Sequence, residues 1–377
     1  MERILHMAFN QDGSCFCLGT NKGFLVYNTS PIKKLRQKEF NEGIKIIEML
    51  KKSNILALVG DVDINDKENQ NESLTKNKII IYDDIESKIN SELTLDSEVL
   101  NVKLKLNKII ATTKNNYLYI IELFSLNIIN VFKIYEKSKG IFALNSDDKN
   151  LILAFPYRHS GFVKIKKFNE KSIIPNINAH DNDISFLSLD KEGNLLSTTS
   201  TRGTLIRIFC TFNGELIQEL RRGAKIAEIY SINFDLNKKF LGCSSNNGTV
   251  HIFSIYKSMK YLKENKIIEY ESSDSNKKED GKKKEEPKNQ KSLIGSIVSV
   301  LKLGIPYFES EWSFAQFRIP KMEKTIISFS QIEENTINVL TKSGNLYQAS
   351  FDLSLGGECH KFNDIDLFKQ NVEKNKE

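Results

Sequence analysis

The chain has no apolar run approaching the roughly 18 residues that a membrane-spanning helix needs. Any contact with a bilayer is therefore expected to be peripheral. Its opening residues, Met1-Glu2-Arg3-Ile4-Leu5-His6, lead into a strand-like pattern rather than an apolar leader, which fits a soluble cytoplasmic protein. Cysteine is sparse and scattered. Cys15, Cys17, Cys210, Cys243 and Cys359 make an odd set without zinc-ligand spacing, and buried small hydrophobes in a reducing compartment are the simplest reading. Trp312 is the only tryptophan, and the Gly-His and Trp-Asp marks of a standard WD40 blade are missing. There is no Gly-rich phosphate loop, metal-ligand cluster or persuasive nucleophile–base pair, which argues against an enzyme and against a cofactor or metal. The formal charge of +6 suits an anionic partner. Nucleic acid is not expected, because no basic stripe carries interleaved aromatics.

What the sequence does have is many short apolar or alternating runs, separated by Asn, Asp, Gly and Lys turns. They begin with 4–9, 15–19 and 23–27, continue through 184–189, 195–199 and 204–209, and end with 325–330, 336–341 and 345–351. Evenly spaced short strands with turn signals mean a sandwich, a barrel or a propeller. Internal repetition decides among them. Leu189-Asp190-Lys191-Glu192-Gly193 leads to Ser200-Thr201-Arg202-Gly203-Thr204, and Phe234-Asp235-Leu236-Asn237 leads to Ser245-Asn246-Asn247-Gly248-Thr249. About seven units of roughly 50 residues fit, each a four-stranded blade. The expected fold is all-β, a seven-bladed, divergent WD40-like propeller forming a single domain over residues 1–377. In such folds an N-terminal strand often completes the last blade, which would tie residues 1–7 to the C-terminal blade. Two stretches stand outside the blades: a polar insertion at 61–77, read as a solvated loop, and a long connection at 257–309.

Between the fifth and sixth blades stands Leu220-Arg221-Arg222-Gly223. Neighbouring side chains on an extended backbone point to opposite sides, so an extended pair of arginines serves two pockets rather than one. The planar guanidinium fork matches phosphate oxygens, which makes two adjacent anion sites the expectation. Before the pair, alternation puts Thr198, Ser200, Arg202 and Thr204 on a common side if that segment stays extended.

These features resemble the PROPPINs, seven-bladed propellers that bind polyphosphoinositides and include the WIPI proteins of autophagy. The family's Phe-Arg-Arg-Gly reads here Leu220-Arg221-Arg222-Gly223, with one apolar residue exchanged for another and both arginines kept. Further similarities are Phe9-Asn10-Gln11-Asp12, Ala179-His180-Asp181, Gly203-Thr204-Leu205-Ile206-Arg207-Ile208-Phe209, Thr249-Val250-His251-Ile252-Phe253 and Glu311-Trp312-Ser313-Phe314-Ala315. The resemblance implies a first phosphoinositide site from His180, Thr198, Ser200, Arg202, Thr204 and Arg221. It implies a second from Arg222, Ser244, Ser245, Asn246, Thr249 and His251. Plainer readings remain beside these: hydroxyls at strand ends serve turns, His180 and His251 serve as blade or core histidines, and Arg202 is a surface arginine.

The long connection begins with a charge-rich stretch, 257–291, whose most basic cluster is Lys282-Lys283-Lys284 and which reads as solvated and disordered. Residues 292–303 differ. Wound at about 100° per residue, Leu293, Ile294, Ile297, Val298, Val300 and Leu301 share one face, with serines, Gly295 and Lys302 opposite. In a loop of an all-β fold such a face suits a bilayer surface, and the resemblance implies that PROPPINs insert a sixth-blade loop. The expected function is a monomeric peripheral adaptor at autophagic or endosomal membranes, recognising phosphatidylinositol 3-phosphate and the 3,5-bisphosphate and presenting other blade edges to trafficking proteins. The alternative is a protein-only propeller scaffold that does not bind lipid.

Overall fold

The computed structural model describes residues 2–63, 74–168, 176–268, 286–290 and 310–369. Seven sheets follow one another along the chain, antiparallel except that the fifth and sixth each gain a two-residue parallel strand, Glu311–Trp312 and Gly357–Glu358. The first contains Ile4–Phe9, Cys15–Thr20, Gly23–Thr29 and Ile32–Glu39; the second contains Ile44–Met49, Ile55–Gly60, Lys78–Asp83 and Lys88–Thr94. The third runs Val99–Lys105, Lys108–Thr113, Tyr117–Glu122, Ile128–Lys133, and the fourth Ala143–Leu144, Ile152–Pro156, Phe162–Lys167, Ile177–Asn178. The fifth holds Ile184–Leu189, Leu195–Ser200, Leu205–Cys210 and Leu216–Arg221. The sixth holds Ile229–Phe234, Phe240–Ser245, Thr249–Ser254 and, after the long connection, Ala315–Arg318. The seventh is Thr325–Phe329, Thr336–Thr341, Asn345–Ser350 and His360–Asp366. This is a seven-bladed propeller.

Burial follows position within a blade. Every residue of the second strands Cys15–Thr20, Leu195–Ser200, Phe240–Ser245 and Thr336–Thr341 is buried, because these strands pack on both faces against neighbouring blades. Outer strands face solvent along one edge, and Ile32–Glu39 (IKKLRQKE) has no fully buried residue. The core is a ring of seams. Ile208 and Leu220 of the fifth blade meet Ile232 and Phe253 of the sixth in one of them, each side chain contributing about 1.5–3 kcal/mol by leaving water.

The ring does not close as expected. Ile4–Phe9 pairs with Cys15–Thr20 inside the first blade, and the seventh blade is finished by its own C-terminal strand, His360–Asp366 against Asn345–Ser350. With that edge filled, no place remains for residues 1–7. Side chains shut the seam instead: Ile4, Leu18 and Leu25 pack with Leu340, Leu346 and Leu367. Tyr27 Oη donates to Leu367 O at 3.5 Å and Lys342 Nζ to Leu5 O at 2.8 Å.

The insertion at 61–77 is not wholly a solvated loop. Val62 bridges to Thr75, and Leu74 is buried in the seam between the first two blades; residues 64–73 lie outside the described residues. The long connection likewise starts with structure, the helix Tyr256–Glu264. Leu262 packs into the fifth–sixth seam, Ser258 donates to Gln218 Oε1 at 2.8 Å, and Tyr261 Oη bonds Glu215. The expectation of a fully solvated 257–291 therefore fails at its start, where apolar Leu262 finds a berth on the blade edge. Asn289 returns to the same root, exchanging bonds with Ser254 N and O at 2.7 Å each. Glu311–Trp312 then joins Leu216–Arg221 in parallel as a fifth strand. Lys282-Lys283-Lys284 and the apolar residues Leu293, Ile294, Ile297, Val298, Val300 and Leu301 lie outside the described residues.

Candidate functional site

The fifth and sixth blades present matching turns between their second and third strands. In the fifth, Gly203 N donates to Ser200 O at 2.8 Å; in the sixth, Gly248 N donates to Ser245 O at 3.2 Å. Gly203 has φ +59°, and a Cβ there would fall 1.9 Å from Ala227 O, so this turn requires glycine. The turn also breaks the expected alternation. Thr198 and Ser200 are buried on the strand, Arg202 is exposed in the turn, and Thr204 is half-buried beyond it. These four side chains therefore do not share one face.

Around Thr198 a polar cluster forms. His180 Nε2 lies 2.9 Å from Thr198 Oγ1, and Thr198 pairs across the ladder with Arg207. Arg207 donates from Nη1 to Ala179 O at 2.7 Å and from Nε to Glu219 Oε2 at 2.9 Å. Burial first, and then the Arg207 charge, push the His180 imidazole down to about 4, so it is neutral near pH 7. The sequence offers Arg207 only within Gly203-Thr204-Leu205-Ile206-Arg207-Ile208-Phe209, assigned to neither site. Its signal lay in the repeat, because Arg207-Ile208-Phe209 occupies the place that His251-Ile252-Phe253 takes one blade later.

The two arginines part as the extended pair predicts. Arg221 closes its strand opposite Leu205, and its Nε donates to Ser310 Oγ at 3.1 Å, beside Trp312. Arg222 Nε donates to Gly203 O at 2.8 Å and its Nη2 to Lys225 O. Both are buried, at 5% and 3% exposure. Among the described residues Arg222 has no carboxylate at ion-pair distance, the acceptors of its guanidinium being backbone carbonyls. Its charge acts on the sixth blade. Burial and then Arg222 hold His251 down to about 4, while burial pushes the Cys243 thiol up to about 12 against the pull of Arg222. His251 and Cys243 are ladder partners and both stay neutral near pH 7, so neither supplies a counter-charge to buried Arg222.

The remaining second-site residues are divided. Ser245 Oγ is buried with no hydrogen-bond partner among the described residues. Asn246 is exposed in the turn, its Oδ1 accepting from Glu228 N at 3.2 Å, and Thr249 is half-buried opposite Arg318. Ser244 turns the other way, donating to Thr325 O of the seventh blade at 3.2 Å. His251 Nδ1 lies 3.2 Å from Ser313 Oγ. A desolvated guanidinium with no carboxylate partner among the described residues suits an anion, because a buried charge is costly until it is paired.

Comparison with known proteins agrees in family and fold. The PROPPIN family model matches residues 4–268. Autophagy-related protein 18e of Arabidopsis thaliana is 32% identical over 366 residues, covering 96% of this chain and 88% of that protein. Autophagy-related protein 18 of Dictyostelium discoideum is 27% identical over 377 residues, covering 98% and 95%. Kluyveromyces lactis Hsv2 superposes with a TM-score of 0.70 at 19% identity, covering 97% of this chain and 100% of that one. The structure described as a complex of KlAtg21 with the coiled-coil of AgAtg16 gives a TM-score of 0.72 at 20% identity, covering 97% and 99%. At these identities the structures speak for the fold, and the family match speaks for descent: the chain belongs to the PROPPIN family of phosphoinositide-binding propellers.

Proposed function

We propose that this PROPPIN is a peripheral membrane adaptor that recognises phosphatidylinositol 3-phosphate and phosphatidylinositol 3,5-bisphosphate at two sites on the fifth and sixth blades. The first site uses His180, Thr198, Ser200, Arg202, Thr204 and Arg221, with Arg207 behind the histidine. The second uses Arg222, Ser245, Asn246, Thr249 and His251, with Ser244 bracing the strand from the seventh-blade side. The observation that carries this reading is Arg222: a cation at 3% exposure whose guanidinium has carbonyl acceptors and no carboxylate among the described residues. A phosphate supplies the missing charge. Residues 292–303 add an apolar hold on the bilayer, and the other blade edges receive autophagy or endosomal trafficking proteins. That the KlAtg21 structure is a complex with a coiled-coil supports a protein-recruiting role for the fold.

One observation favours the protein-only alternative: Arg221 bonds Ser310 and Arg222 bonds Gly203 and Lys225, as structural arginines do. Vesicle flotation separates the two readings. The wild-type chain should float with vesicles carrying either 3-phosphorylated lipid and not with phosphatidylcholine alone, and Arg221→Ala/Arg222→Ala should stay in solution with phosphatidylinositol 3-phosphate vesicles. Equal behaviour of both proteins on all vesicles would leave the scaffold reading standing.

A further inference from the structure

The innermost strands surround a central channel of about 500 Å³. Its lining includes His6 on Ile4–Phe9, Lys103 on Val99–Lys105, Lys324 just before Thr325–Phe329, and Lys342 in the turn after Thr336–Thr341. The first, third and seventh blades thus bring these basic side chains to one passage outside the arginine seam, which Lys191 of the fifth blade and the carboxylates Glu48 and Asp235 also line.

Their charges are poorly matched. Among the described residues neither Lys324 nor Lys342 has a carboxylate at ion-pair distance; Lys342 Nζ instead donates to Leu5 O at 2.8 Å. Lys103 stands 3.7 Å from Glu48, a buried carboxyl that burial raises above its ordinary range. The nearby Glu323 accepts from Ser343 N at 2.6 Å and Ser343 Oγ at 2.7 Å, so its oxygens serve the turn. The excess positive field is felt by its neighbours. After burial, Lys103, Lys324 and Lys342 together drive the His6 imidazole down to about 3. Lys342 is itself lowered by burial and then by Lys324 and Arg3.

Like charges held together in a concave, low-dielectric passage focus an attractive field on an incoming anion. Lysine ammoniums act as point charges that suit phosphate oxygens without demanding a planar ligand. We propose that the Lys103–Lys324–Lys342 side of the channel binds a compact, multiply phosphorylated anion. The site belongs to the first, third and seventh blades and does not depend on the function proposed for the fifth and sixth.

The test uses the full chain carrying Arg221→Ala/Arg222→Ala, which silences the arginine seam. Calorimetric titration with sodium tripolyphosphate should show one equivalent bound, weakening steeply with salt. Adding Lys324→Gln/Lys342→Gln should lower the affinity at least tenfold, while thermal stability holds or rises as like-charge repulsion is removed. If the glutamine pair unfolds, Lys324→Arg/Lys342→Arg is measured instead, and retained binding supports the site while lost binding overturns it. Vesicles with and without phosphatidylinositol 3,5-bisphosphate identify the source. Flotation that depends on Lys324 and Lys342 assigns the phosphates to a lipid headgroup, and calorimetric binding without flotation assigns them to a soluble polyphosphate. No tripolyphosphate binding together with no flotation, or binding indifferent to both lysines, overturns the proposal.

Discussion

Replacing Arg222 by methionine separates a ligand-binding arginine from a structural one, because the two roles shift stability and binding in different ways. The side chain donates to Gly203 O and Lys225 O, and hydrogen bonds from charged groups are worth about 1.5–3 kcal/mol each. Against that loss stands the cost of holding a guanidinium at 3% exposure with no carboxylate among the described residues, an effective penalty of several kcal/mol for a buried ion. Methionine fills similar volume without charge, and the carbonyl of exposed Lys225 can turn to water. The two effects nearly offset, so Arg222→Met should change unfolding free energy by no more than about 1–2 kcal/mol. A charge-assisted contact to a desolvated phosphate is worth about 2–5 kcal/mol, so the second site should lose roughly 30-fold to several thousand-fold in affinity. Urea unfolding gives the first quantity and calorimetry with soluble inositol 1,3-bisphosphate the second. Destabilisation beyond about 3 kcal/mol, the cost of breaking a buried ion pair, with unchanged headgroup binding would refute the reasoning.

Other consequences follow from the same geometry. His180 and His251 are held to about 4 in the fold, below the ordinary 6.5. The unfolded chain therefore binds protons first, and stability present above pH 6.5 should fall as pH drops toward 4, by on the order of 3 kcal/mol per histidine. His180→Asn and His251→Asn should each flatten that fall in urea titrations at pH 7 and 4.5. An anion favours the imidazolium, so headgroup affinity should also rise on acidification and lose that rise in the same variants; superimposable profiles would make both histidines structural. Gly203→Ala places a Cβ 1.9 Å from Ala227 O at φ +59°, which should cost more than about 1 kcal/mol in stability and weaken headgroup binding by moving the carbonyl that orients Arg222. Wild-type affinity in that variant would detach the turn from the site. Asp at Ile297 and Leu301 should leave binding of soluble headgroup intact while loosening retention on vesicles, since a charge at the apolar level of a bilayer costs a few kcal/mol. Undiminished flotation would remove residues 292–303 from the anchor.

Much of the blade pattern was legible because the second and third strands are packed on both sides and their sequences show it, as in Cys15–Thr20 and Phe240–Ser245. The outer strands Ile32–Glu39, Lys88–Thr94 and Leu216–Arg221 carry charged, alternating sequences that read as linkers. Only the four-stranded repeat implied them, since their pairing is supplied by the neighbouring strand rather than by their own composition. The helix Tyr256–Glu264 was hidden for a related reason: of its nine residues Leu262 is the one apolar side chain fully buried. In the site, the divergence of Arg221 and Arg222 follows from backbone alternation and could be read directly. The separation of Arg202 from Thr198 and Ser200 follows from the turn that divides the runs 195–199 and 204–209, so strand alternation does not carry across 200–204. Arg207 was assigned to neither site because it sits amid β-formers, where a charged residue passes for a solvent-facing one until its ladder partner Thr198 is known.

The central claim is that two adjacent sites each depend on one arginine, and a stoichiometric titration of soluble inositol 1,3-bisphosphate tests it most directly. Wild-type protein should bind two arginine-dependent equivalents; Arg221→Ala and Arg222→Ala should each lose one of them, and the double variant both. A single equivalent in the wild type that disappears with either arginine would contradict the two-site arrangement, and two equivalents surviving in the double variant would contradict the role of the arginines altogether.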